Sequence, residues 1–261
     1  MISFISQSML GQFLRCPAQF ERVWVYGERV PPGIAARRGS GTHKAAEINH
    51  LQKIDSGVDL PIADLQDAAR DEYVRLIQEE GIFIPREQLS EKNKIMAEGL
   101  DDTTRLAKLY GEKLAPSIQP VLVEQRVRMD VGLGVALEGT IDVLTVDNWL
   151  PDLKTSGKSK GKSEADLSLQ LSLYAALVAH HTGKWPTKIS LEVLVNLKEP
   201  ILQSLPTSRG PHDFAMLMNR IQMMLAQVEA GLFPPCDPGH WMCSPNWCGF
   251  YTTCKYAMKR R

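Results

Sequence analysis

The chain has 261 residues, 44% hydrophobic and 23% charged, a composition that suits a globular protein with one large core or two small ones. Its 30 basic and 30 acidic side chains cancel, so no overall field points to a polyanionic partner, and any such contact must come from local patches. No apolar run approaches the ~20 residues of a membrane span and the N-terminus lacks a basic-then-apolar signal profile, so a soluble, cytoplasmic protein without a membrane partner is expected.

In chain order, Ser6 reads as the N-cap of a helix through Met9, Leu10, Phe13 and Leu14 to Cys16-Pro17. An aromatic segment follows (Phe20, Trp24, Tyr26) and ends at Pro31-Pro32. Gly39-Ser-Gly-Thr-His43 is expected to open a second helix. Periodicity near 3.6 predicts helices over 62–80 and 90–114. From Pro120 the period switches to two, which predicts strands. Residues 135–146 and 149–155 read as two strands of a hairpin turning at Asp147-Asn148. A helix over 164–181, a strand over 187–197, a helix over 211–230 and a Pro/Cys/Trp-rich tail from Phe233 complete the chain. Internal repeats are absent, and no linker is long enough to separate two domains. The pattern is α/β: helices first, a sheet in the second half, and a helix crossing between strands.

The hairpin carries the chemistry. Asp142 falls near the middle of one strand and Asp152 near the end of the other, with Lys154 on the same face as Asp152 and Leu153 opposite. Two carboxylates beside a lysine suit metal-assisted phosphodiester cleavage: the oxygens hold a hard divalent cation and the ammonium orients water. Four lysines fall within nine residues here, Lys154, Lys158, Lys160 and Lys162. Such a run is ordinarily a solvated loop. Because this one leaves the strand that bears Asp152, it reads as a grip on DNA phosphates. On the next helix Gln170 and Tyr174, four apart, share a face. They could be an exposed amide and a core aromatic, or hold water and phosphate oxygens beside the acids. Three of the five cysteines lie within twelve residues near the C-terminus, which suggests metal binding rather than disulfides.

Taken in order, Cys16-Pro, Gly-Thr-His43, Gly-x-x-Asp142, Asp152-x-Lys154, Gln170-x-x-x-Tyr174 and Cys243-x4-Cys248-x5-Cys254 resemble the RecB-like, iron–sulfur branch of the PD-(D/E)xK nuclease superfamily, which includes AddB-type helicase–nucleases and CRISPR-associated exonucleases. The resemblance implies a restriction-endonuclease-like core, a mixed central sheet flanked by helices, as one domain over 1–261. A helical insertion would occupy about 60–115, and the ends, about 6–20 and 233–256, would bind a cluster. It implies Mg2+ or Mn2+ held by His43, Asp142, Asp152 and the Leu153 carbonyl. Lys154 would act on the attacking water, with Gln170 and Tyr174 in support. Glu124 and Glu138 are outer candidates. It further implies a [4Fe-4S] cluster on Cys16, Cys243, Cys248 and Cys254. The gap of four between Cys243 and Cys248 is wider than the family's usual two, and structural Zn2+ on the same thiolates is the chemical rival. Cys236 is left as a spare thiol and His240 as incidental.

Two functions follow. The first is a metal-dependent DNA exonuclease working on ends or single strands in recombination, repair, phage replication or CRISPR adaptation, in a bacterial, archaeal or phage-infected cell. The second is a non-catalytic nucleic-acid-binding or scaffold protein of the same fold. A decayed site would have lost an acid or the lysine, and none is missing. No Gly-x-x-x-x-Gly-Lys-Ser/Thr loop is present, so unwinding would need a helicase or recombination partner.

Overall fold

The computed structural model describes residues 2–257, so the outermost positions of the expected 1–261 span lie outside it. A short strand β1 (Phe4–Ile5) leads into α1 (Gln7–Arg15), whose first turn is closed by the Ser6 hydroxyl accepting from the Met9 N–H, as expected of an N-cap. Cys16 then caps α2 (Pro17–Phe20) with proline at the first helical position. Three long helices follow: α3 (Ile34–Ser56), α4 (Ile62–Glu80) and α5 (Lys92–Lys113). Strands β2 (Pro120–Asp130), β3 (Ala136–Thr145) and β4 (Trp149–Ser156) precede α6 (Leu169–Thr182), and β5 (Lys188–Val195), β6 (Ile201–Thr207) and α7 (Pro211–Glu229) follow, with a short 3-10 turn (Tyr251–Thr253) in the tail. Among the described residues no helix is long and apolar enough to cross a membrane.

The second helix begins earlier than the glycines suggested. Gly39 and Gly41 lie inside α3, and His43 sits in its middle instead of its first turn. Gly41 is there for contact. A methyl group on it would come within 2.7 Å of the Ala69 carbonyl oxygen and of Thr103, so the missing side chain lets α3 close on α4 and α5. These helices, with Val143, Trp149, Leu153 and Leu194 from the strands, enclose one core. A second core joins α1, α6 and α7 to the opposite strand faces through Leu137, Ile141, Leu150, Leu191 and Val193. The central strands β3, β4 and β5 are therefore covered on both sides, whereas β2 and β6 stay largely open to solvent.

The expected hairpin does not form. β3 pairs antiparallel with β2 and parallel with β1, whereas β4 pairs with β5 in a separate parallel ladder that β6 extends antiparallel. Local hydrogen bonds replace cross-strand ones at the corner: Thr145 Oγ1 accepts from the Trp149 N–H at 2.9 Å, and the Asn148 carbonyl accepts from the Thr187 N–H at 3.0 Å. Asn148 adopts φ +61°, a left-handed turn that asparagine tolerates. The chain is thereby turned toward β5, and the strands bearing the two acids splay apart. The helix expected to cross between strands is α6, which joins parallel β4 and β5. It begins at Leu169, five residues later than the periodicity suggested, because Arg209 ties down the preceding segment through the Ala165, Asp166 and Ser168 carbonyls.

Candidate active site

The splayed strands set the geometry of the site. Asp142 projects from β3 and Asp152 from β4, on the two separate sheets. Strand alternation puts Asp152 and Lys154 on one face, with Lys154 Nζ 2.9 Å from Asp152 Oδ2 and 3.1 Å from Oδ1. Gln170, in the first turn of α6, donates its Nε2–H to Asp152 Oδ1 at 3.0 Å. Ser168 fixes that turn by accepting from the Leu171 N–H. One turn further, Tyr174 reaches the same place because Gly139 of β3 leaves room: a methyl group there would stand 2.8 Å from Leu177 and 3.1 Å from the Tyr174 ring. From the other side α3 presents His43, whose Nδ1 lies 3.5 Å from Asp142 Oδ2 and whose ring lies beside the Leu153 backbone.

Burial raises the carboxyl pKa values of Asp142 and Asp152, and the Lys154 ammonium opposes it. Burial, then the Lys154 charge, pushes the His43 imidazole below its usual value, which keeps it neutral with a ring nitrogen able to ligate. The Tyr174 phenol is raised, chiefly by burial and next by Asp142 and Asp152, so it stays protonated at neutral pH.

Asp152 Oδ2 is buried and, although close to Lys154 Nζ, receives no aligned hydrogen bond. A cation would complete such an oxygen. Two carboxylates, a backbone carbonyl and a neutral imidazole fit a hard divalent ion in kind. Among the described residues, however, no three His, Cys, Asp or Glu side chains stand close enough to share one ion in this arrangement.

The outer acids divide. Glu124 stands across β2 from Asp142, between the paired Val123–Val143 and Gln125–Ile141, with φ +49°. Partial burial, then Asp142 and Glu47, push its carboxyl up to about 7. Glu138 is held by Arg126 at 2.5 Å and Arg128 at 3.6 Å. It borders an open polar groove with Ser6, Ser8, Arg126, Asp142 and Tyr174. Ser6, Ser8, Glu47 and Arg126 were not anticipated as site residues. Only the alternation of β2 and β3 could have hinted at Arg126.

The lysine loop is more ordered than a free linker. The Lys160 backbone N–H donates to Gln203 Oε1 of β6 at 2.8 Å, and Gln203 Nε2 returns a bond to the Lys160 carbonyl at 2.9 Å. Lys158 and Lys162 stay exposed on either side. At the far end of α1, Cys16, Cys236, Cys243, Cys248 and Cys254 line a single pocket as free thiols. The Cys236 N–H donates to Cys16 Sγ at 3.4 Å, and Gln19 Nε2 lies 3.9 Å from Cys248 Sγ. Burial, followed by the neighbouring Cys16, raises the Cys236 thiol to about 12. Cys236, expected to be spare, therefore sits among the others.

No curated protein matches the sequence. The fold is similar to a crystal structure described as a candidate exonuclease from Eubacterium rectale, with TM-score 0.59, 11% identity, and coverage of 99% of this chain and 90% of that one. SSO0001 is more distant, at TM-score 0.39 and 15% identity over 82% of this chain and 96% of that one, and carries no argument. The family model of the PD-(D/E)XK nuclease superfamily matches residues 5–255, nearly the whole chain and every motif described above. The chain belongs to the PD-(D/E)XK nuclease superfamily.

Proposed function

We propose that the protein is a divalent-metal-dependent deoxyribonuclease, an exonuclease acting on DNA ends or single strands. The observation that carries this reading is the gathering of Asp142, Asp152, Lys154 and His43 from three elements onto one place, with one buried carboxylate oxygen lacking an aligned hydrogen bond. His43, Asp142, Asp152 and the Leu153 carbonyl would hold Mg2+ or Mn2+. When bound, the ion supplies Lewis acidity at the scissile phosphate and acidifies water.

The chain's own groups do the rest. Gln170 donates to Asp152 Oδ1, and Oδ2, beside the Lys154 ammonium, keeps its capacity for a cation. Lys154 orients the attacking water and steadies the negative charge that builds on the phosphate. Tyr174, kept protonated, can donate a hydrogen bond to a phosphate oxygen. Beyond the strand, Lys158, Lys160 and Lys162 would grip neighbouring phosphates.

The reading includes one nuclease domain over the whole chain with the helices of about 60–115 as an insertion. It also includes a [4Fe-4S] cluster on Cys16, Cys243, Cys248 and Cys254. Five thiols around one pocket support a thiolate-held group, with structural Zn2+ as the alternative. A helicase or recombination protein would supply unwinding, in a bacterial, archaeal or phage-infected cytoplasm, during recombination, repair, phage replication or CRISPR adaptation. The test is incubation with end-labelled linear and covalently closed circular DNA, with Mn2+, with Mg2+ and with neither. Metal-dependent loss of linear DNA alone is expected. Cutting of closed circles would make the protein an endonuclease, and no cleavage of either would overturn the reading.

A further inference from the structure

We infer that the groove beside Trp247 is a nucleobase site, which takes an unpaired base of a DNA strand reaching the candidate active site. The identity of that strand rests on the nuclease reading above. The groove is an open space of about 300 Å³, with Pro31, Phe83 and Trp247 as apolar wall and Gln12, Gln19 and Arg29 as polar wall. Trp247 is 59% exposed, and its neighbour Trp241 is 60% exposed. The two rings meet perpendicularly at 5.1 Å and His240 already stacks on Trp241, so the aromatic surface offered to a base is the exposed part of Trp247. Bases stack on such surfaces whatever their sequence, provided they are unpaired.

The polar wall has the hydrogen-bonding capacity that a base edge needs. The Trp24 indole N–H, which can only donate, holds Gln12 Oε1 at 2.7 Å, so the Gln12 amide nitrogen keeps its donors. Gln19 directs Nε2 toward Cys248 Sγ and keeps its carbonyl oxygen as an acceptor. A donor and an acceptor on carboxamides match the edges of bases. Arg29 is exposed and adds positive charge. The acid beside it, Glu28, pairs instead with Arg22 at 2.5 Å.

Two helices connect this groove to the site. Gln12 lies on α1, whose N-terminal residues Ser6 and Ser8 border the polar groove at Asp142. Gly33, at the groove, is followed by α3, which carries His43 about 15 Å along its axis. At the 3.4 Å rise of a stacked strand, that is about four nucleotides. A duplex keeps its base faces covered and cannot use the groove.

The test measures binding of fluorescent single-stranded and duplex 12-mers to the full chain in EDTA, together with cleavage in Mn2+. Trp247→Ala should weaken single-strand binding by roughly 5- to 100-fold, as expected for the loss of one stacked base. Duplex binding should be unchanged, and Trp247→Phe should restore most of the loss. Arg29→Ala should lower the salt slope of single-strand binding by about one phosphate contact, and this readout serves if Trp247→Ala does not fold. Unchanged single-strand binding in Trp247→Ala, or in Arg29→Ala where the former does not fold, overturns the groove. So does an equal loss for duplex. If the wild type cleaves DNA while these variants bind normally, the groove falls and the nuclease reading stands. If the wild type cleaves nothing but Trp247→Ala still loses single-strand binding, the reverse holds. A groove that seats a segment of a partner protein would leave oligonucleotide binding untouched in every variant, which also overturns it.

Discussion

Asp152 is only 2% exposed, yet one of its oxygens receives no aligned hydrogen bond. A buried carboxylate in that condition costs stability, and a site that serves transition-state chemistry tolerates the cost. Asp152→Asn and Lys154→Ala should each abolish cleavage while leaving the fold and much of the DNA affinity, because in the proposed mechanism these groups act mainly on the transition state. Near-normal turnover in either variant, in a gel assay with excess Mn2+, would remove them from the mechanism. A second residue-scale expectation concerns His50, buried in α3 with Nε2 2.8 Å from the Tyr110 hydroxyl. Burial, then the Lys53 charge, lowers its pKa to about 4 from 6.5. Between those two values the unfolded chain binds a proton that the folded chain refuses. Stability is therefore complete above pH 6.5 and is lost as pH falls toward about 4, by on the order of 3 kcal/mol. His50→Gln, which can still accept from Tyr110, should lose less stability between pH 7 and pH 5 in urea melts. Equal losses in the two proteins would place the titration elsewhere.

At the scale of elements, the lysine loop is braced against β6 by two hydrogen bonds to Gln203, so its lysines are presented from a fixed base. Neutralising Lys158, Lys160 and Lys162 together should weaken DNA binding and flatten its salt dependence by about two to three phosphate contacts. A salt slope equal to the wild type would return the loop to solvated surface. The helices were legible in sequence because their apolar periodicity reports packing directly: α4 was read to the residue and α5 within two. The pairing of strands was not legible. Residues 135–146 and 149–155 each read as a strand, but their partner depended on Thr145, Asn148 and Thr187, whose side-chain and corner hydrogen bonds have no periodic signature. β6 was missed for a related reason: in Ile201-Leu-Gln-Ser-Leu-Pro-Thr207 a proline interrupts a run that only its place at the sheet edge makes a strand. The start of α3 was misjudged because glycines usually punctuate helices, whereas Gly41 serves an interhelical contact that only the tertiary structure reveals.

Across the whole molecule, the two ends of the chain are joined. Phe20 stacks with Phe233 at 6.4 Å, the Ala18 N–H donates to the Pro234 carbonyl, and the Arg22 guanidinium lies 4.4 Å over the ring of Phe250 while donating to Thr253 Oγ1 at 2.9 Å. The cysteines lie within this contact, and a thiolate-held group there would add folding free energy to modest packing. Protein purified without oxygen should be brown with broad visible absorbance. Alanine at Cys16, Cys243, Cys248 or Cys254 should bleach it and lower its melting temperature, and alanine at Cys236 should do so least. Colourless protein with stoichiometric zinc and no iron would exchange the cluster for a single ion.

The splaying of β3 from β4 has a mechanical consequence. Asp142 and Asp152 belong to strands that share no ladder, so the distance between the two carboxylates is set by how the two sheets lean on each other. An ion gripped by both acids would act as a clasp across a seam, tying two hydrogen-bonded units that are otherwise joined by the Thr145–Trp149 corner and by packed side chains. Amide exchange should then slow on both flanks of the seam at once when Mn2+ is added, around Ile141 to Val143 and around Asp152 to Lys154. In Asp142→Asn the two flanks should lose that protection together. Slowing on one flank only would mean that the ion is held by a single sheet, and that the seam stays free to open while the site is charged.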